Sequence, residues 1–292
     1  LPTPTQKPKS KLAGLNPSTA RVLTAVVVLP VLIASIIFQQ LQLLFVVMAA
    51  VAMILALAEF WVLAGRRGIK ADFAAGYLAA VALLAVFSFT EKGSFPDLFM
   101  IEMILIVLTM GTLTAAMVRG APFDKIIPAL GATLLGVMYV ALLGGHLVAT
   151  RVGFAPALSK HLLSFFFLVL MGGDTAAYYV GRALGKHKLA PKVSPGKTWE
   201  GAAGGMTASL LMAALAHFWF FRELPLKWAV PLAAGMNILG VVGDLVESAL
   251  KRSVDAKDAA NILPGHGGFL DRLDSLLFNA PLIYYFARLY FR

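Results

Sequence analysis

The sequence predicts an all-α, polytopic integral membrane protein with about nine transmembrane helices and a cytosolic N-terminus. Three observations lead there: apolar residues dominate, they fall into runs long enough to cross a bilayer, and lysines and arginines gather in alternate connections. Of the 292 residues, 59% are hydrophobic and 14% charged, and the mean hydropathy is +0.81. A soluble domain carries about 25% charged residues, so the bulk of this chain is suited to lipid. The formal charge of +10 would point to nucleic acid in a soluble protein. Here the basic residues crowd into short loops between apolar runs, which membrane orientation and phosphate binding explain better than nucleic acid does. The chain has no cysteine, so a disulfide framework, a thiolate nucleophile and thiolate metal ligands are excluded, and any metal must take oxygen or imidazole ligands.

Residues 1–21 read as a basic tail, with Pro2, Pro4, Pro8, Lys7, Lys9 and Lys11 and no periodicity, the composition of a disordered segment. The apolar stretch that follows is long enough to span and lacks a small-residue cleavage site, which argues against a cleaved signal peptide. Runs of about 17 to 25 apolar residues, the length a helix needs to cross ~30 Å of hydrocarbon, occur at about 22–38, 41–64, 73–89, 98–118, 126–149, 162–185, 200–221, 229–250 and 275–291. The first five (22–160) are nearly featureless apart from Glu59 and Glu102. The last four (161–292) hold most of the polar chemistry, with two long polar loops at 186–199 and 251–274.

With the N-terminus inside, 18 of the 25 lysines and arginines fall on the cytosolic side and 7 outside. The few outside include Lys92, Arg151, Arg222 and Arg288. That asymmetry favours an N-in, C-out topology with both long loops cytosolic.

The chemistry-bearing residues lie in and around those loops. Asp271 and Asp274 are three apart at the start of the ninth span, so a helix presents both carboxylates on one face. Asp244, with Glu247 three residues on, sits toward the cytosolic end of the eighth span and can supply a third acid. Its alternative role is an intrahelical ion pair with Lys251. Such an oxygen-rich cluster suits Mg²⁺, which binds through one or two carboxylates plus substrate phosphates.

Pro264, Gly265, His266, Gly267 and Gly268 form a turn whose backbone can approach an anion before a helix N-terminus. Flanked by Lys251, Arg252, Lys257 and Arg272, it has the character of a triphosphate cradle. His266 is a candidate metal ligand or proton donor to departing pyrophosphate, against the blander role of a hydrogen-bonding loop residue.

Gly196, Lys197 and Thr198 are not a P-loop, because Pro191 stands where that motif needs its first glycine. Lys192, Ser194 and Lys197 instead form a basic connection into the seventh span, where Thr198 can cap the helix and Glu200 can sit in its first turn. Their residue types fit phosphate binding and cytosolic anchoring equally. Asp174, in mid-span, needs a polar cavity to face, and Gly201 and Gly205 read as a close helix contact.

The string from Ser248 to Asp274, SALKRSVDAKDAANILPGHGGFLDRLD, resembles the signature of the phosphatidate cytidylyltransferase (CDP-diacylglycerol synthase) family. It matches at Ser248, Lys251, Arg252, Lys257, Asp258, Pro264, His266, Gly267, Gly268, Asp271, Arg272 and Asp274. The upstream string from Gly172 is similar to the same family at Asp174, Tyr178, Gly181, Arg182, Gly185, Ser194, Pro195, Lys197, Thr198, Glu200 and Gly201.

The resemblance covers residues 172–274 and implies transfer of the cytidylyl group of CTP to phosphatidic acid, giving CDP-diacylglycerol and pyrophosphate. It implies Mg²⁺ at Asp244, Asp271 and Asp274, with a second cation such as K⁺ beside it. Lys197, Arg272 and His266 would act at the reacting groups; Lys192, Ser194, Lys251, Arg252, Lys257, Gly267 and Gly268 would hold the nucleotide. The expected partners are CTP, phosphatidic acid and membrane lipid, with a homodimer left open, and the expected location is a bacterial inner membrane with the site on the cytosolic face. Three other readings stay open: a CTP-dependent lipid kinase, a CDP-archaeol-type synthase and, from a different class, an ion-coupled transporter.

Overall fold

A computed structural model describes residues 17–120, 122–256 and 268–291. Most of the basic tail, Lys257, His266 and Gly267 lie outside the described residues. Nine helices stand among the described residues, and their order follows the nine apolar runs: α1 Pro17–Ile37, α2 Gln42–Gly65, α3 Phe73–Ser88, α4 Leu98–Val118, α5 Phe123–Val152, α6 Pro156–Leu184, α7 Trp199–Trp219, α8 Leu226–Ser253 and α9 Leu270–Tyr290. Six of them (α2 and α4 to α8) are long and apolar enough to cross a membrane, which makes this a polytopic membrane protein. The other three do not reach that length and composition over their described residues. α1 has 21 residues, and Val28–Ile37 is its apolar stretch among the described ones. α3 has 16 residues, about 24 Å of helix against ~30 Å of hydrocarbon. α9 carries Asp271, Arg272, Asp274 and Arg288 within its 21 residues.

α5 is one continuous helix interrupted by a π-helical stretch, Val137–Leu142. The expected loop 186–199 is not irregular: β1 Lys188–Ala190 and β2 Ser194–Thr198 pair antiparallel, Lys188 with Thr198 and Ala190 with Ser194. Pro191, Pro195 and Gly196 hide this hairpin from any alternation rule, since turn and edge residues occupy most of it. It is pinned to α7 by Trp199 N–H donating to the His187 carbonyl (2.9 Å) and by a 2.6 Å His187–Glu200 contact.

The ends of the bundle are tied by polar contacts that sort the loops into two groups. At one end, Arg67 donates to the Ser253 carbonyl and pairs with Asp255 at 2.8 Å, and Arg119 pairs with Asp72 at 2.7 Å. At the other, Gly93 N–H donates to the Gly153 carbonyl, and Arg288 donates to the same carbonyl and stacks on Phe154. Arg151, assigned from sequence to an outer loop, is in the last turn of α5 and only 1% exposed. It donates to the Ser35 and Phe38 carbonyls and to Gln39 Oε1, so its charge serves the carbonyl-rich C-terminal end of α1.

The tightest helix contact is α6 against α7. A side chain at Gly201 would meet the Ala177 carbonyl oxygen at 2.8 Å, and one at Gly205 the Gly173 carbonyl oxygen at 3.0 Å. The two glycines are the close contact their spacing predicts.

The grouping of loops yields a test. Single cysteines at His187 and at Asp255 are expected to react with a membrane-impermeant maleimide from the same side, and one at Lys92 from the opposite side. Labelling of all three from one side overturns the two-ended arrangement.

Candidate active site

The site grows from helical periodicity. On α8, Gly240, Asp244, Glu247 and Lys251 recur at intervals of three and four and so share a face. On α6, Asp174, Tyr178, Gly181 and Arg182 do the same, and on α9 Asp271, Asp274 and Ser275 follow. These faces converge, with the hairpin and the start of α7, on a cavity of about 870 Å³ lined by five carboxylates (Asp174, Asp244, Glu247, Asp271, Asp274) and four cations (Arg182, Lys188, Lys197, Lys251). Ser194, Gly196 and Thr198 complete the hairpin wall.

Why the hairpin reaches the cavity follows from α7. Thr198 Oγ1 accepts Gly201 N–H at 3.1 Å, capping the helix, and Glu200 lies in the first turn, as the residue order predicts. With Gly201 pressed against α6, the residue before the cap, Lys197, is delivered into the cavity. There Lys197 Nζ meets Asp244 Oδ2 at 2.7 Å.

Asp244, Glu247 and Asp274 each present an oxygen within 4.8 Å of the others. The Asp274 Oδ1 accepts the backbone N–H (2.6 Å) and hydroxyl (3.2 Å) of Ser275. Glu247, 1% exposed, binds Lys251 through Oε2 at 2.6 Å, while its Oε1 has no partner. A buried carboxylate with one oxygen that has no donor, grouped with two further carboxylates, could hold a hard divalent cation.

Sequence grouped Asp271 with Asp244 and Asp274. The structure instead brings Glu247 beside those two, and engages Asp271 with Lys251 Nζ (3.0 Å) and Gly268 N–H (3.0 Å). Lys251 thus bridges Glu247 and Asp271 across α8 and α9.

Among the other expected residues, Ser194 lines the cavity, whereas Lys192 is exposed on the hairpin and does not. Arg252 donates to the Val193 and Ala256 carbonyls, tying α8 to the hairpin from outside the cavity. Arg272 is exposed on α9 and is not part of the lining. Gly268 is buried and serves Asp271.

Several contributors were underweighted by sequence. Glu247 enters the sequence reading only as the residue three beyond Asp244, yet its spacing from Asp244 and Lys251 is the signal that it shares their face. Arg182 is read as a cytosolic charge and a matched family position, and Lys188 as a cytosolic charge, neither with a role at the site. Tyr139 has no sequence signal at all. It sits in the π-helical stretch of α5, its hydroxyl is buried without a partner, and it is near enough to feel the charges of Asp274, Glu247 and Asp244.

Comparison with known proteins shows the family. Residues 19–290 match the cytidylyltransferase family. The phosphatidate cytidylyltransferase of Bacillus subtilis (strain 168) is 46% identical over 112 residues, 38% of this chain and 42% of the relative. That of Brucella melitensis is 48% identical over 115 residues, 38% of this chain and 40% of the relative. The uncharacterized protein YnbB of Escherichia coli (strain K12) is 47% identical over 114 residues, 37% of this chain and 36% of the relative. The chain therefore spans about two fifths of the length of the curated relatives it matches. Since the family match runs through all nine helices, the chain belongs to the cytidylyltransferase family.

Proposed function

We propose that this protein transfers the cytidylyl group of CTP to phosphatidic acid, releasing pyrophosphate and leaving CDP-diacylglycerol in the membrane. The observation that carries the reading is the cavity itself: a cluster of carboxylates fit for a divalent cation, ringed by lysines and an arginine, at the polar end of a lipid-solvated bundle. Family membership and the relatives named phosphatidate cytidylyltransferase support the same choice of substrates. The excess of lysine and arginine at the hairpin end supports a cytosolic site, where CTP is found.

Phosphatidate carries a phosphate monoester whose second ionisation lies near pH 6, so at neutral pH it supplies an oxyanion nucleophile and needs no strong general base. Its oxygen attacks the α-phosphorus of CTP in line, the bond from that phosphorus to the bridging oxygen breaks, and pyrophosphate leaves with the electron pair. The protein's task is positioning and charge neutralisation. Lys197 and Lys188 on the hairpin and Arg182 on α6 face the cavity and are placed to bind phosphate oxygens. Lys251 holds Glu247 and Asp271 in place. Asp244, Glu247 and Asp274 would hold Mg²⁺, which when bound offsets the negative charge of the nucleotide phosphates. The acyl chains stay in lipid while the headgroup meets the soluble nucleotide.

Identification of the labelled lipid formed from CTP, phosphatidate and Mg²⁺ by the purified protein tests the reaction. CDP-diacylglycerol with release of pyrophosphate is expected, and ATP should substitute poorly. Transfer of the γ-phosphate alone to a lipid alcohol would make the protein a kinase instead.

A second prediction concerns the acids. Asp274→Asn and Glu247→Gln keep shape and remove charge, and each is expected to lower kcat by at least ~100-fold, the scale of losing a main electrostatic contributor. Asp271→Asn, which releases Lys251, should also impair turnover. Asp255→Asn, at a residue paired with Arg67 and 85% exposed at its side chain, should change kcat by less than about two-fold. Near-normal kcat at low Mg²⁺ in either cluster variant would show that the cation lies elsewhere.

A further inference from the structure

Glu59 lies in α2, in the half of the chain that carries little polar chemistry, and is fully buried. Its Oε2 accepts the backbone N–H of Leu270 at 2.8 Å, across 211 residues of sequence, and its Oε1 has no partner. Leu270 opens α9, next to Asp271 and four residues before Asp274.

The first N–H groups of a helix have no acceptor within it. Helices usually meet that need with a Ser, Thr, Asp or Asn at the N-cap. α9 has Phe269 there, with no side-chain cap. The acceptor comes from another helix, as a carboxylate whose burial in a membrane bundle is costly but which gains from the positive end of the helix dipole. The surroundings make α2 a firm anchor: the Phe60 ring packs edge-on against Tyr139 of α5, and Tyr139 against Phe278 of α9.

We propose that Glu59 is a positioning residue for the acidic cluster, holding the first turn of α9 at the depth and rotation that set Asp271 on Lys251 and Asp274 beside Asp244 and Glu247. Helix geometry makes the cluster sensitive to that anchor. Slipping α9 by one residue turns it by about 100° and shifts it by about 1.5 Å, enough to swing Asp274 away from α8. This role rests on reading the cluster as a divalent-cation site.

Mn²⁺, a paramagnetic probe, tests it on the full chain without substrates, with binding followed by electron paramagnetic resonance. Turnover with CTP and phosphatidate and the thermal midpoint are measured in parallel. Glu59→Ala removes the acceptor, Glu59→Gln keeps a neutral acceptor at the same reach, and Glu59→Asp keeps the charge but withdraws it by one methylene. Glu59→Ala is expected to weaken Mn²⁺ binding at least ~10-fold and to lower kcat at least ~10-fold, as loss of a hydrogen bond to a charged group does. KM for CTP should stay within about three-fold, and Glu59→Gln should recover most of both losses.

A Glu59→Ala protein that unfolds at lower temperature yet binds Mn²⁺ as the unsubstituted chain does would overturn the inference, because Glu59 would then serve only the fold. Should Glu59→Ala fail to fold, the comparison passes to the other two variants. Weaker Mn²⁺ binding in Glu59→Asp than in Glu59→Gln supports the role, and equal affinity overturns it. Absence of Mn²⁺ binding by the unsubstituted chain removes the cation site and this role with it. Failure to form a CDP-lipid while Mn²⁺ responds to Glu59 as expected would instead overturn the proposed reaction alone.

Discussion

Crowding of carboxylates inside a lipid-solvated bundle is the constraint on which the rest of this structure turns. Two like charges about 5 Å apart repel by about 3 kcal/mol at an effective dielectric of about 20. Asp244, Glu247 and Asp274, all within 4.8 Å of one another, form three such pairs, a cost that can be met by pairing with a cation or by taking up a proton. The chain offsets part of it with two lysines from different elements. Lys197 reaches Asp244 from the hairpin, and Lys251 reaches Glu247 and Asp271 from α8. Neither touches the free oxygen of Glu247. A cation from solution could complete the set.

That arrangement depends on packing at a distance from it. Glycines at 201 and 205 let α6 and α7 approach until backbone meets backbone. The approach fixes the start of α7, Thr198 caps it, and the hairpin that precedes the cap is folded over the cavity rather than into solvent. Lys197 can then meet Asp244 on α8, a helix that the hairpin would otherwise not reach. A short glycine spacing is thus connected to the electrostatics of the site through one cap and one strand.

The helices were legible because a bilayer imposes a length and a solvent on each span, and both are written in local composition. α4 lies at the residues its apolar run marks, Leu98–Val118. The face of α8 that holds Asp244 was also legible, since three- and four-residue spacing is local. What sequence could not carry was pairing between helices. Asp271 and Glu247 are equivalent candidates by spacing, and only the packing of α9 against α8 brings Glu247 within 4.8 Å of both Asp244 and Asp274. The hairpin was hidden by its prolines. Arg151 looked like a loop charge because its partners, the carbonyls of Ser35 and Phe38, are backbone atoms far away in sequence.

The division of the chain into a bland first half and a chemical second half holds for composition but not for contacts. Glu59 and Tyr139 lie in the first half, and both have a buried oxygen without a partner. Both face the second half, Glu59 through Leu270 and Tyr139 through the ring of Phe278 and the charges of the cluster. In a water-soluble protein such residues are held in place by a hydrophobic core. Lipid is as apolar as the core, so it gives helices little reason to choose one another on that ground, and polar contacts and close packing must supply the choice. Glu59 and Leu270 supply such a contact where α2 meets the acidic helix. The first helices are then more than a membrane anchor, because the position of α9, and with it one wall of the cavity, is defined against them.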